Sequence, residues 1–244
     1  MSTHSDSAQV KQTVSMPNLV ISNGTIEGLK ILGVILMVGD HVNKYLFNGT
    51  LPYLFEAGRL ALPIFVFVLA YNLARPGQFE RGAYERTMKR LAVFGVIASI
   101  PFMALGGLYD GWWPLNILFT LLAITATAYF IERKQFFFAF LVFINAGTSV
   151  EFWWPAMLLG LAIWAYLKQP SLYSAGIAVL ACAGLGYANE NMWALAALPI
   201  LASSTMFDLK VPRIRWAFYA FYPLHLGLLW LIRIPMSQAG YLFF

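Results

Sequence analysis

Apolar stretches of about 17–22 residues follow one another along most of the chain, the length an α-helix needs to cross a bilayer's hydrocarbon core. They predict nine helical spans, at residues 26–47, 51–74, 91–108, 115–131, 136–150, 154–167, 172–188, 193–207 and 216–232. The fifth and sixth are short, and the seventh and eighth are rich in Ala and Gly, so counts of about eight or ten are the alternatives. Strand-type alternation is absent, which excludes an outer-membrane barrel. The expected fold class is an all-α polytopic membrane protein, a single bundle of about nine transmembrane helices.

Composition agrees. Charged residues make up 11% of the 244 positions and hydrophobic residues 60%, against about 25% charged in an ordinary soluble domain. So few charges cannot coat a water-soluble globule, which excludes a typical soluble enzyme, a disordered protein and a nucleic-acid-binding tail. The single cysteine, Cys182, excludes a disulfide framework and a CxxC metal site. Residues 1–25 are polar and low in aromatics. They read as a disordered cytoplasmic tail rather than a signal peptide, with the bundle occupying residues 26–244.

The basic residues set an orientation. Arg75, Arg81, Arg86, Lys89, Arg90, Arg133, Lys134, Lys168, Lys210, Arg213 and Arg215 fall in alternate connections, and Lys11 and Lys30 join them; these are 13 of the 16. The opposite connections carry Glu56, Asp110, Glu151 and Glu190. By the positive-inside rule the amino terminus is cytoplasmic and the carboxyl terminus external. The net charge of +5 is thus topological, and no nucleic-acid partner is expected. Trp112, Trp113, Trp153, Trp154 and Trp193 cluster at the external ends as an interfacial belt. The long polar segment 75–90 reads as a topology-setting loop, with docking of a phosphate-bearing ligand as the functional alternative.

Ionisable groups inside a span are costly and mark function. Asp40, His41, Arg59 and His225 stand out. His41 lies about nine residues before the turn near Gly49, and Arg59 about nine after it, so a helical hairpin puts them at similar depth, roughly 10 Å below the external surface. Asn116 enters at a comparable level. Asp40 and His41 point about 100° apart, so one is expected to line a cavity while the other packs on a neighbour. Asp40 and Lys44 are spaced i,i+4, as a local ion pair would be. An imidazole can take a proton from an amine or hydroxyl, and an arginine can steady an oxyanion or hold a carboxylate or phosphate. The bland readings are an interhelical hydrogen bond for either histidine and a snorkelling side chain for Arg59. Walker, HExxH and haem-attachment motifs are missing, and three scattered histidines make a poor metal site, so no metal is expected.

Three motifs in order carry a resemblance: Asp40-His41 closing an apolar run that starts at Leu29, Gly58-Arg59-Leu60 leading into Leu62-Pro63-Ile64-Phe65, and Tyr222-Pro223-Leu224-His225 near the end. Together they resemble the TraX family of conjugation proteins, the group named for the pilin N-acetylase, over essentially the whole membrane region. The resemblance implies a multi-pass inner-membrane enzyme that acetylates the amino terminus of a processed pilin subunit, with cytoplasmic acetyl-CoA as donor. Carried over by position, His41 is the base with Asp40 and Arg59 beside it. With the residue reading added, Asn116, Tyr222, His225 and Lys44 are the candidate substrate- or cofactor-binding residues. The implied partners are pilin and membrane lipid. Competing readings keep the chemistry but join a pilin's ends, or acylate a glycan or lipid hydroxyl. Others replace it with proton-coupled transport through Asp40 and His41, or with an assembly scaffold built on small-residue helix faces.

Overall fold

The computed structural model describes residues 16–106, 108–213 and 217–243. His4, Lys11, Arg215, Trp216 and the first 15 residues of the expected tail lie outside them. The described residues form helices α1 (Asn23–Leu46), α2 (Pro52–Gly58), α3 (Ala61–Ala74), α4 (Ala83–Leu105), α5 (Ile117–Glu132) and α6 (Phe136–Ser149). There follow α7 (Trp153–Lys168), α8 (Leu172–Gly184), α9 (Gly186–Asn189), α10 (Ala197–Ser203) and α11 (Ala217–Gln238), with 3₁₀ turns at Trp193–Ala196 and Ser204–Met206. No strand of more than an isolated bridge occurs among the described residues. Each of the nine expected stretches is helical. Two of them are broken, into α2–α3 and α8–α9, and the 193–207 stretch is a 3₁₀–α–3₁₀ composite.

The first helix starts inside the segment expected as tail. Ser22 caps it, its hydroxyl accepting from the Thr25 backbone N–H at 3.2 Å. Just before it, the Ile21 backbone is gripped by the Tyr71 hydroxyl, which accepts from its N–H at 2.8 Å and donates to its carbonyl at 2.9 Å. Residues 21–25 therefore belong to the bundle, because capping and the tyrosine satisfy their backbone groups.

Proline explains the break that matters most. A proline at position 63 has no N–H for the Arg59 carbonyl, and its ring crowds that carbonyl. The chain answers with i→i+3 bonds, Arg59 N–H to Glu56 and Leu60 N–H to Ala57, both 3.2 Å. Arg59 therefore sits at a joint between α2 and α3. Gly58, the preceding residue, lies so close to Asp40 on α1 that a Cβ there would overlap the Asp40 side chain. Sequence thus places a glycine and a proline on either side of Arg59, and tertiary packing presses the joint against α1.

One apolar cluster gathers Ile64, Phe67 and Ala70 of α3 with Met157 and Leu159 of α7 and Cys182 of α8. A second joins Met37 and Tyr45 of α1 to Leu91, Ala98 and Phe102 of α4 and Tyr222, Leu226 and Leu229 of α11. The outward faces are apolar too. Val93, Val96, Ile97 and Ile100 form an exposed stripe on α4, Leu224, Leu228 and Leu231 one on α11, and Phe136, Phe137, Phe138 and Phe140 one on α6. The α4 and α11 spacings, mostly of three and four residues, would face a core in a soluble protein; here they face outward, as does the phenylalanine run that opens α6. Pro52–Ala74, Ala83–Leu105 and Leu172–Asn189 are each long and apolar enough to cross a membrane. Contiguous exposed apolar faces of this kind are those of a membrane protein.

Candidate functional site: a histidine pair beside an ion pair

Four polar side chains from α1, α11 and the α2–α3 joint meet near one end of the bundle. His41 Nδ1 and His225 Nε2 are 2.7 Å apart, with the two rings nearly parallel at 4°. His225 is 7% exposed, and its Nδ1 lies 3.1 Å from the Phe221 carbonyl one helical turn earlier. That chain of contacts orders the protons. A carbonyl only accepts, so His225 Nδ1 carries the hydrogen. In the neutral ring Nε2 is then a lone pair. His41 Nδ1 must donate to it, which leaves the lone pair of neutral His41 on Nε2. The aromatic walls are Tyr45, with its ring centroid 5.6 Å from that of His41, and Tyr222, at 6.3 Å from His41 and 5.5 Å from His225.

Asp40 turns the other way. Its Oδ1 accepts from Arg59 Nη2 at 2.5 Å. Arg59 also donates through Nη1 to Asn189 Oδ1 at 3.2 Å and through Nε to the Phe55 carbonyl at 3.1 Å, and its guanidinium lies 4.2 Å from the Phe55 ring centroid. One arginine thus ties α1, α2 and α9 together, using three of its five N–H groups. The side chains of Asp40 and Arg59 are only 14% and 12% exposed, so the pair is desolvated and each charge depends on the other.

The structure divides the expected site residues. His41, His225, Asp40 and Arg59 converge, and Tyr222 is a buried wall between them and α5. The ion-pair expectation for Lys44 is corrected. Asp40 pairs with Arg59, because the Gly58 joint brings the arginine onto α1, while Lys44 is exposed and lies 5.1 Å from the Tyr45 ring. Asn116 is fully buried and caps α5. Its Oδ1 accepts from Leu118 N–H at 3.2 Å, and its Nδ2 donates to the Gly95 carbonyl and Ser99 Oγ at 2.9 and 3.1 Å. Its amide is spent joining α5 to α4. Asp40 and His41 do not divide into one cavity residue and one packing residue; each takes a partner on a different helix.

Two residues joined the site without being singled out in the sequence. Asn189 ends α9, the short continuation of α8 past Leu185, and its Oδ1 accepts from Arg59 there. Glu151, counted in the sequence only as an acidic loop residue, is half-buried in the α6–α7 connection, facing Lys44, Asp40 and Arg59. Its position between two apolar segments, directly before Phe152-Trp153-Trp154, was the available signal. Burial pushes its carboxyl up to about 7, against the opposing pull of Lys44 and the Ile117 N–H. Neither of two hollows, about 400 Å³ beside Arg233 and about 280 Å³ beside Thr25, is lined by the histidines. Among the described residues no group of three or more His, Cys, Asp or Glu is placed to hold a metal ion.

An apolar helical bundle carrying a hydrogen-bonded imidazole pair and a desolvated ion pair defines a membrane protein with a built polar site of the acid–base type. The family model for the TraX protein matches residues 25–233, and the chain belongs to the TraX family. Among curated proteins it is similar to Protein TraX of Escherichia coli, 28% identical over 71% of this chain and 60% of that one. It is also similar to Protein TraX of Escherichia coli (strain K12), 27% identical over 78% of this chain and 67% of that one. An uncharacterized protein of Rickettsia prowazekii (strain Madrid E) is 26% identical over 54% of this chain and 47% of its own length. The chain thus covers less than two thirds of the first and last of these. No solved structure matches.

Proposed function

We propose that this chain is a multi-pass inner-membrane acyltransferase that N-acetylates the amino terminus of a conjugative pilin, with acetyl-CoA as donor. The observation that carries the proposal is the His41–His225 bond, because it leaves the His41 Nε2 lone pair free to act as a base. His41 takes the proton that the amine sheds as its nitrogen bonds to the acyl carbon. His225 takes up part of the resulting positive charge through the shared hydrogen bond and holds the ring in the productive tautomer. The remaining N–H groups of Arg59 offer charge stabilisation at the same end of the bundle.

The orientation belongs to the same reading: about nine spans, amino terminus cytoplasmic, with Asp40, His41, Arg59 and Glu151 in the external half. A pilin processed at the outer face then presents its amine on the correct side. The opposite end suits a phosphate-bearing donor. Lys30 Nζ lies 5.3 Å from the Phe218 ring and the Arg90 guanidinium 5.9 Å from the Tyr219 ring, where α1, α4 and α11 meet. From Lys30 to His41 is 11 residues of α1, a rise of about 16 Å, a span that an extended pantetheine arm can cover between those basic groups and the imidazole. The test is the mass of the pilin from cells with the wild-type chain, without it, and with His41→Ala. An added acetyl group that requires His41 is the expected result. Loss of one water, with both termini gone, would instead show cyclisation, and an unmodified pilin in every strain would end the proposal.

A further inference from the structure

Acylation of an amino terminus moves two protons, and the His41 relay handles only one of them. In water the substrate is an ammonium ion. It must lose one proton before nitrogen can attack and a second as the C–N bond forms and the C–S bond breaks. The second proton passes through His41 to the departing CoA sulfur. The first must leave the site altogether.

The α6–α7 connection carries the residue built for that step. Glu151 is held by its own backbone: its N–H donates to the Leu115 carbonyl at 3.0 Å, and its carbonyl accepts from Thr120 Oγ1 at 2.9 Å. Leu115 N–H also reaches back to the Ser149 carbonyl at 2.8 Å. Directly afterwards Phe152 and Trp153 take left-handed backbone conformations, at φ 61° and 47°, which aromatic side chains rarely adopt. The Glu151 side chain at this fixed turn is half-buried. It sits against the Ile117 backbone N–H at the start of α5, which also faces the Tyr222 hydroxyl. Around it stand Lys44, Asp40 and Tyr45 from α1, Arg59 from the α2–α3 joint and Tyr222 from α11. Tyr45 and Tyr222 are the same rings that wall the histidine pair, and the Glu151 charge acts on both of them. Asp40, the other carboxylate here, is already paired with Arg59.

We propose that Glu151 is a second catalytic residue, the site that receives the substrate's ammonium group and takes its first proton. This rests on the acyl-transfer reading above. The step is R–NH₃⁺ plus Glu151 carboxylate giving R–NH₂ plus Glu151 carboxylic acid, and the acid then releases its proton to external water. No oxidant or further reactant is needed. A carboxyl titrating near neutrality is suited to both halves of that cycle.

The test is transfer from acetyl-CoA to a pilin amino-terminal peptide by the full chain in proteoliposomes, with the external pH varied from about 6 to about 9, across the range where an α-amine ionises. Wild type, Glu151→Gln, Glu151→Asp and His41→Ala are compared. Glu151→Gln should lose most, several-fold, near pH 7, where Glu151 is still ionised and the α-amine largely protonated, and should converge on wild type at both ends, where Glu151 is itself protonated or the peptide is already a free amine. Glu151→Asp should retain much of the wild-type profile. His41→Ala should stay inactive throughout. A Glu151→Gln profile parallel to wild type, whether equal or uniformly depressed, would overturn the assignment while leaving the acyl-transfer reading in place. Transfer by His41→Ala equal to wild type would overturn that reading and this step with it.

Discussion

His41 and His225 stand 184 residues apart in the chain and share one hydrogen bond of 2.7 Å across the α1–α11 contact. The bond joins two otherwise unrelated motifs into one device. The Phe221 carbonyl fixes the proton on His225, His225 fixes the proton on His41, and the outermost nitrogen is left basic.

Mutation should read out that order. His41→Ala should lower transfer by about 10²–10⁴-fold, the usual cost of losing a general base. Its membrane level should stay near wild type, since an interhelical hydrogen bond contributes only about 0.6 kcal/mol on average. His225→Gln should retain more activity than His225→Leu, because the Gln carbonyl can still accept from His41 Nδ1. Rates normalised to membrane-inserted protein measure both; equal activity in the two His225 variants would show that the tautomer is not held this way.

Asp40 and Arg59 should behave as one unit. Asp40→Asn removes the charged partner from a nearly buried pair, for which losses of about 3–5 kcal/mol are typical; Arg59→Lys keeps the charge but loses the planar fork that holds Asp40. The slight exposure of both side chains puts the expected loss at the low end. Arg59→Lys also forfeits the bonds to Asn189 and Phe55. Gly58→Ala should give a related loss, about 1–3 kcal/mol, by driving a methyl into Asp40. Thermal unfolding in detergent checks all three, and an unchanged midpoint for Gly58→Ala would contradict the close approach of the joint to α1.

Glu151 has a signature in stability as well as in rate. Its carboxyl is pushed up to about 7 in the fold from an ordinary 4.5, so between those values the folded state binds the extra proton. Stability from this group is therefore greatest below about 4.5 and is lost as pH rises to about 7. Replacing it with Gln removes that loss. Glu151→Gln should unfold at a higher temperature than wild type above pH 7, with the difference closing toward pH 4.5. The opposite ordering at pH 8 would mean that the carboxylate is a stabilising ion-pair partner.

Topology is open to direct measurement. Single cysteines in the 75–90 segment should be shielded from an impermeant external thiol reagent, and cysteines in the 109–114 segment should react. Cys182 is fully buried and should give little background. Both segments labelling from one side would remove the basis for the proposed orientation.

The amino-acid sequence by itself determined the helices and the odd residues within them. Long apolar runs must bury or shield their backbone as helix, and that requirement is local, so every expected stretch is helical. Asp40, His41, Arg59 and His225 were visible because an ionisable group in an apolar run has no local reason to be there. Only the tertiary structure decided partners. Helical spacing offers Asp40 to Lys44, but Gly58 and Pro63 shape a joint that delivers Arg59 instead. Asn116 looked available until α4 took its amide. Glu151 looked like solvent-facing loop charge, but the connection is bonded to Leu115 and Thr120 and its side chain is half-buried. Periodicity states which residues share a helix face; which side chain that face meets depends on how distant helices pack, and the polar site is made of those meetings.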